Sequence, residues 1–231
     1  MGAAGGPGVA MMVQARAEAT RRKIIDAAVD LFADVGYSDT DLRDIVTRSE
    51  MTKGAFYYHF SGKEALASAI IEEAETEFRE VVIVLLMSAP ALENLVRSTF
   101  VVVDMHTRDK LTRVANQLRP ALSQVSPNGA RTYRQRQSVV LKVLTDTISR
   151  GIDEGDLLDD VNADEVAHTL WSSTLGNRIL ADATGDDIFG RLAEIWRVLL
   201  RGIATARSGP YLQQFATRMA QQYARGHLPP E

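Results

Sequence analysis

Apolar residues in this chain recur mostly at intervals of three and four, the period of a helix with one buried face. No run alternates apolar and polar between hairpin-type turns, so strands are not expected. Ile24, Ile25, Ala28, Leu31, Phe32 and Val35 form one such stripe and predict a helix over 16–36, which Gly36 ends because glycine tolerates the left-handed conformation. Thr40 is placed to cap a brief helix carrying Leu42, Ile45 and Val46. Ser49-Glu50-Met51 breaks the pattern, and Thr52 caps a second short helix ending at His59. After Ser61-Gly62 a long helix is predicted from about Lys63 to Met87, stopped by Pro90. Further helices are expected at 91–106, 109–118, 129–153, 163–183, 187–206 and 210–225. The later breaks are Ser126-Pro127-Asn128-Gly129, Gly155-Asp156, Gly185-Asp186-Asp187 and Ser208-Gly209-Pro210. The fold class is therefore all-α: three N-terminal helices, then a long helix leading into a bundle. The Gly/Ala-rich opening reads as a disordered tail over 1–12, with Met11 or Met12 as candidate starts. Residues 13–66 then form a first domain and 67–231 a second.

Two short helices separated by three residues cannot lie end to end; they must cross, as in a helix-turn-helix. Leu42, Val46, Met51, Phe56 and Phe60 supply a small core between them and the helix over 16–36. Lys53, Gly54 and Tyr57 are then left on the outer face of the second helix, since 53 and 57 lie one turn apart. Gly54 keeps that helix slim enough to enter a major groove about 12 Å wide. Lysine and tyrosine donate to phosphates or base edges, and Lys63 sits at a helix N-terminus, where free N–H groups favour a phosphate. On periodicity alone, an amphipathic hairpin with solvated charges is an equally good reading.

Charge neither makes nor excludes this case. The net charge is −4. Residues 1–63 carry eight Lys/Arg against eight Asp/Glu, and the remainder eighteen against twenty-two, so only the N-terminal part is relatively basic. Without cysteine there are no disulfides or thiolate metal sites, which fits a cytoplasmic location. Four scattered histidines give no metal-ligand spacing, and no cofactor motif is present. The longest apolar run, Val81 to Met87, is far short of the roughly 20 residues of a membrane span.

The string Gly36-Tyr37, Thr40-Asp41-Leu42-Arg43-Asp44-Ile45-Val46, Met51 through Phe60 and Lys63-Glu64-Ala65-Leu66 resembles the signature of the TetR family at nearly every position. The resemblance implies a homodimeric DNA-binding regulator, usually a repressor. Its C-terminal domain would hold an inducer pocket and the dimer interface. It assigns Thr52, Lys53, Gly54, Ala55, Tyr57, Tyr58 and His59 to the recognition helix, with Thr40, Arg43 and Lys63 also reaching double-stranded operator DNA. One departure is Glu50, where the family has a turn glycine. A non-glycine residue with positive φ costs about 1 kcal/mol, so either Glu50 turns its carboxylate away from phosphate or the turn is built differently.

Val166-Ala167-His168-Thr169-Leu170, Gly176, Arg178, Arg191 through Trp196 and Arg201-Gly202 look like the γ-butyrolactone receptor branch of the family. The combined resemblance runs from about Val13 to Ile203. It implies a small, largely apolar effector, γ-butyrolactone-like in that branch. Where the branch has a pocket tryptophan early in the central helix, this chain has Tyr133. Phe100, Met105, Leu111, Leu118, Tyr133, Leu141 and Trp171 are the candidate cavity residues, with Tyr133, Asn177 and Arg178 supplying polar groups. Trp196, beside Ile195, Leu199 and Leu200, reads as core or dimer interface. His106 and His168 read as hydrogen-bonded histidines rather than ligands. Asp159-Asp160 and Asp186-Asp187 are placed to cap helices. Apolar surplus on 163–183 and 187–206 predicts a four-helix dimer interface. The rival readings are a helical enzyme or carrier that keeps the fold, for which no nucleophile–base grouping is present, and an architectural DNA-binding protein, which the acidic C-terminal part disfavours.

Overall fold

The computed structural model of the chain describes residues 7–226; residues 1–6, half of the expected tail, lie outside them. Pro7–Met12, the other half, is helical. It opens α1 (Pro7–Asp39), whose backbone leaves helical geometry at Gly36 (φ 83°, ψ 166°), so the helix breaks at the predicted glycine before a short helical continuation to Asp39. The helix-turn-helix follows as α2 (Leu42–Arg48) and α3 (Lys53–His59). Then come α4 (Lys63–Phe78), a π-helical turn (Arg79–Ile83) and α5 (Val84–Leu86), which together cover the expected long helix. The remainder is α6 (Ala91–Arg108), α7 (Lys110–Val125), α8 (Pro127–Asp153), α9 (Ala163–Thr184), α10 (Ile188–Ile203) and α11 (Gly209–Arg225). Among the described residues the only sheet-like pairing is a single bridge, Leu157 to Ala204.

The chain divides into two compact units. Among the described residues the first combines 7–75 with Asp109–Ala130, and the second combines Thr76–Arg108 with 131–226. These units differ from those expected from the sequence, 13–66 and 67–231. The division falls within the α4–α5 helical run, and α7, counted with the second domain in the sequence, belongs to the first unit. The first core gathers Ile24, Ile25, Ala28 and Phe32 of α1, Ile45 of α2, Phe56 and Phe60 of the α3 region, Leu66 and Ile70 of α4, and Val114, Leu118 and Leu122 of α7. Ile45 is fully buried, whereas Leu42, Val46 and Met51 only pack against the core edge, and Val35 is exposed.

The second unit is built on α6, α8, α9, α10 and α11 around Leu92, Leu95, Phe100, Ile148, Leu170, Leu192, Trp196 and Leu200. Trp196 is fully buried, and its indole N–H donates to Thr99 Oγ1 at 2.8 Å, which settles it as core. Of the two aspartate pairs, only Asp187 caps, accepting from Phe189 N at 3.2 Å and Gly190 N at 3.0 Å. Helix α9 is capped instead by Asn162, which accepts from Asp164 N and Glu165 N. No helix among the described residues is long and apolar enough to cross a membrane.

Candidate nucleic-acid interface and effector cavity

Helix α3 has seven residues, too few to hold itself together without a cap and a core. Both are supplied. Thr52 Oγ1 accepts from Ala55 N at 3.1 Å, and Phe56 is buried within the first core with Phe60 beside it, ring centroids 5.9 Å apart. Anchoring Phe56 inward turns the opposite face outward: Thr52, Lys53, Gly54, Tyr57 and Tyr58 are exposed, while Ala55 and His59 are half-buried. Tyr57 is 49% and Tyr58 79% exposed, unusual for rings that size. Lys53 Nζ lies 6.0 Å from the Tyr57 ring centroid. A Cβ built on Gly54 meets nothing closer than Thr52 Oγ1 at 3.9 Å, so nothing inside the protein requires glycine there.

The basic groups around this face are not equivalent. Arg48 is held by Asp30 (3.6 Å) and Asp34 (3.9 Å) on α1. Arg43 is exposed, and among the described residues neither it nor Lys53 has a carboxylate at salt-bridge distance. The turn contains Glu50 at φ 56°, so its backbone is left-handed in spite of the missing glycine, and the alternative of a differently built turn is excluded.

Two predicted DNA-facing residues have other positions. Thr40 is 1% exposed; its hydroxyl donates to Gly36 O at 2.7 Å and cannot meet a phosphate, and Asp41 rather than Thr40 is the N-cap residue of α2. Lys63 turns its ammonium inward, donating to Tyr37 O and Thr40 O, both at 2.8 Å, with Nζ 4.5 Å from the Tyr37 ring centroid. Burial, with Glu64 nearby, raises the Tyr37 phenol above its ordinary pKa. Lys63 therefore fastens the loop ahead of α2 rather than presenting charge outward. A side chain that bonds to backbone distant in sequence leaves no periodic trace, so the role of Lys63 was not legible; Thr40 bonds only four residues back, and its burial was what the pattern did not show.

The second unit contains a cavity of about 70 Å³, several times the roughly 10–15 Å³ that one water requires. Its walls are largely apolar: Phe78, Val82 and Leu86 from the α4–α5 run, Val102 of α6, Val140 and Leu144 of α8, and Leu170, Trp171 and Leu175 of α9. Ser98, Thr99, Thr174 and Arg178 are its polar wall residues. Of the nine predicted effector residues, Trp171 and Arg178 line it. Leu111 and Leu118 do not, because they pack in the first unit's core. Phe100 is buried in the second core and Met105 packs against that core, and neither lines the cavity. Leu141 faces an outer groove with Lys142 and His168, and Asn177 is committed to Ile188 O, donating at 2.9 Å. Tyr133 is half-buried and close enough to Arg178 to affect its charge. His106 is buried, 3.1 Å from Asp182, as a bonded histidine. Missed were Phe78, Val82 and Leu86, the α6 face through Ser98, Thr99 and Val102, Val140 and Leu144 of α8, and Leu170, Thr174 and Leu175 of α9. The pair Thr174–Arg178, at one-turn spacing in an apolar helix, was the available signal.

A capped, core-anchored second helix with an outward basic and aromatic face defines a helix-turn-helix DNA-binding protein. Comparison with known proteins carries this further. The pattern of the bacterial regulatory proteins of the tetR family matches residues 24–70, and that of the tetracyclin repressor-like C-terminal domain matches 89–205. The A-factor receptor protein of Streptomyces griseus is 28% identical over 198 residues, 84% of this chain and 67% of that protein. The crystal structure of a gamma-butyrolactone receptor (ArpA-like protein) is 32% identical, with TM-score 0.73, over 90% of this chain and 98% of that one. CprB from Streptomyces coelicolor, solved in complex with its operator sequence, is 34% identical with TM-score 0.73, over 89% and 98%. The chain belongs to the TetR family and is a DNA-binding transcriptional regulator, similar over most of its length to γ-butyrolactone receptors.

Proposed function

We propose that this regulator acts in the cytoplasm as a homodimeric repressor on an inverted-repeat operator and leaves it when a small, largely apolar molecule enters the cavity beside Trp171. The observation that carries the DNA reading is the outer face of α3. Lys53, Gly54 and Tyr57 are exposed together, and the space over Gly54 serves no internal contact. The receptor and operator-complex relatives support the same reading. The effector reading rests on the apolar cavity, walled in part by Phe78, Val82 and Leu86. These residues belong to the helical run that begins at Lys63, just after the recognition helix. An effector that binds the DNA-free state 100-fold better shifts the equilibrium by about 2.7 kcal/mol.

Homodimerisation is supported by exposed apolar side chains on α9 and α10: Ile179, Leu180 and Val198 are 60%, 61% and 66% exposed. Selection from a random DNA library, followed by footprinting, tests the reading. The expected product is an inverted repeat with half-sites roughly 34–36 Å apart or somewhat further. Recovery of no symmetric site would overturn it. Release of that complex by γ-butyrolactones, the compounds named for the relatives, is the first effector test.

A further inference from the structure

Two polar side chains in the effector cavity have no partner. Among the described residues, Thr174 Oγ1 and Arg178 Nε are buried and make no hydrogen bond. They are four residues apart on α9, so they lie on one face of that helix, and both line the cavity. A guanidinium with a buried, unsatisfied N–H is costly, and in a native protein such a group points to a role beyond packing. Burial pushes the Arg178 pKa below its ordinary value, and Arg136 pushes the same way. Asp182, one turn further along α9, opposes the shift but does not pair with Arg178; its carboxylate lies 3.1 and 3.2 Å from His106 Nε2. The site is thus a cationic donor and a hydroxyl without partners in a largely apolar space, whose other polar wall residues, Ser98 and Thr99, already donate to backbone carbonyls. A neutral alcohol or ester offers the guanidinium only a weak acceptor. A carboxylate matches it in charge and in geometry.

We propose that the effector of this chain is an amphipathic carboxylate, its alkyl chain among Val82, Leu86, Val140 and Leu144 and its headgroup accepting from Arg178 and Thr174. The proposal rests on the reading of this cavity as the effector site, and the probes separate the two. Titration calorimetry on the full chain compares decanoate, kept below its micelle concentration, with methyl decanoate and γ-decalactone. Decanoate is expected to bind at least about tenfold tighter than either neutral probe. Arg178→Met should bring decanoate down to the affinity of the ester while leaving the ester unchanged, and Arg178→Lys should keep part of the preference. Thr174→Val should cost decanoate a smaller factor, and with the wild-type comparison it carries the test if Arg178→Met does not fold. If the neutral probes bind as tightly as decanoate, or the preference survives Arg178→Met, the headgroup assignment is wrong while the cavity reading stands. If none of the three binds, both fall.

Discussion

At the residue scale the recognition face separates side chains that hold the protein together from those with no internal employment. Gly54 is the clearest of the latter, since a methyl group there points into open space. Gly54→Ala should therefore leave the melting temperature unchanged or raise it, by up to about 1 kcal/mol of stability. The same change should weaken operator binding by roughly 1–3 kcal/mol in a gel shift, because the added methyl occupies the groove. Lys53→Ala and Tyr57→Phe should each cost roughly 1–3 kcal/mol of specific binding with no loss of stability; normal binding by both would displace α3 as the reading helix. Glu50, at φ 56°, makes the opposite case. Glu50→Gly relieves about 1 kcal/mol of left-handed strain, partly offset by the unfolded freedom of glycine, so urea unfolding should show a gain of roughly 0.5 kcal/mol. The outward face of Lys53, Gly54 and Tyr57 was legible in the sequence because one-turn spacing is local, whereas the sequence leaves the geometry of the Glu50 turn open between two alternatives. The role of Lys63 was not legible, because the carbonyls it meets are brought near only by the fold, and that of Thr40 was not, because its burial depends on how the helices pack rather than on its local bond to Gly36 O.

At the element scale, helix existence was legible almost throughout, and helix allegiance was not. Apolar periodicity shows that α7 buries one face, but not which core receives it, and Leu111 and Leu118 went to the wrong one for that reason. The first unit acquires α7 through cores shared with α1 and through Asp30, which accepts a hydrogen bond from Lys110 and lies 3.6 Å from Arg48. The Lys110 hydrogen bond, with Arg48 adding to it, holds the Asp30 pKa below its ordinary value. A depressed carboxylate contributes stability above its unfolded pKa, about 3.9, and loses it as pH falls through the lower folded value. Asp30→Asn should therefore destabilise the protein at neutral pH, by no more than about 1 kcal/mol for so exposed a pair. The difference from wild type should vanish in unfolding curves below the folded pKa; a gap constant with pH would mean that the charge is not the cause. Lys63 fastens the other side of the unit. Lys63→Met removes two hydrogen bonds to the carbonyls of Tyr37 and Thr40 and should cost roughly 1–3 kcal/mol of stability. An outward, phosphate-only lysine would show no such loss, so urea midpoints of Lys63→Met and Lys53→Ala, measured side by side, decide the matter.

At the scale of the whole molecule, the proposed operator symmetry requires a second copy, and the exposed apolar residues of α9 and α10 are the surface proposed for it. The sequence pointed to these helices through a surplus of apolar positions, Leu170, Trp171, Leu175, Ile179, Leu192, Ile195, Leu199 and Ile203, but Leu170 and Leu192 are buried within the second unit and Trp171 and Leu175 line its cavity. Of these Ile179 is exposed, and the exposed apolar patch is completed by Leu180 and Val198, which the sequence pattern did not single out. Leu180 and Val198 also line a broad surface groove with Gly176, Ile195 and Leu199. At Gly176 and Gly202 a Cβ would meet nothing within 4 Å, so nothing within one subunit demands their smallness. A two-fold axis that brings two such α9–α10 pairs together forms a four-helix interface in which each apolar patch covers its own copy. Val198→Glu places a charge in that contact without touching the core, as does Leu180→Glu. Each should sediment as a folded monomer with an unchanged far-UV spectrum. Because the two half-sites are then engaged separately, operator affinity should fall by roughly a hundredfold or more. Leu200→Glu, at a residue 1% exposed, is the control, since it should unfold the second unit rather than divide the dimer. A Val198→Glu, Leu180→Glu double variant that still sediments as a dimer and footprints both half-sites would place the interface elsewhere on the second unit.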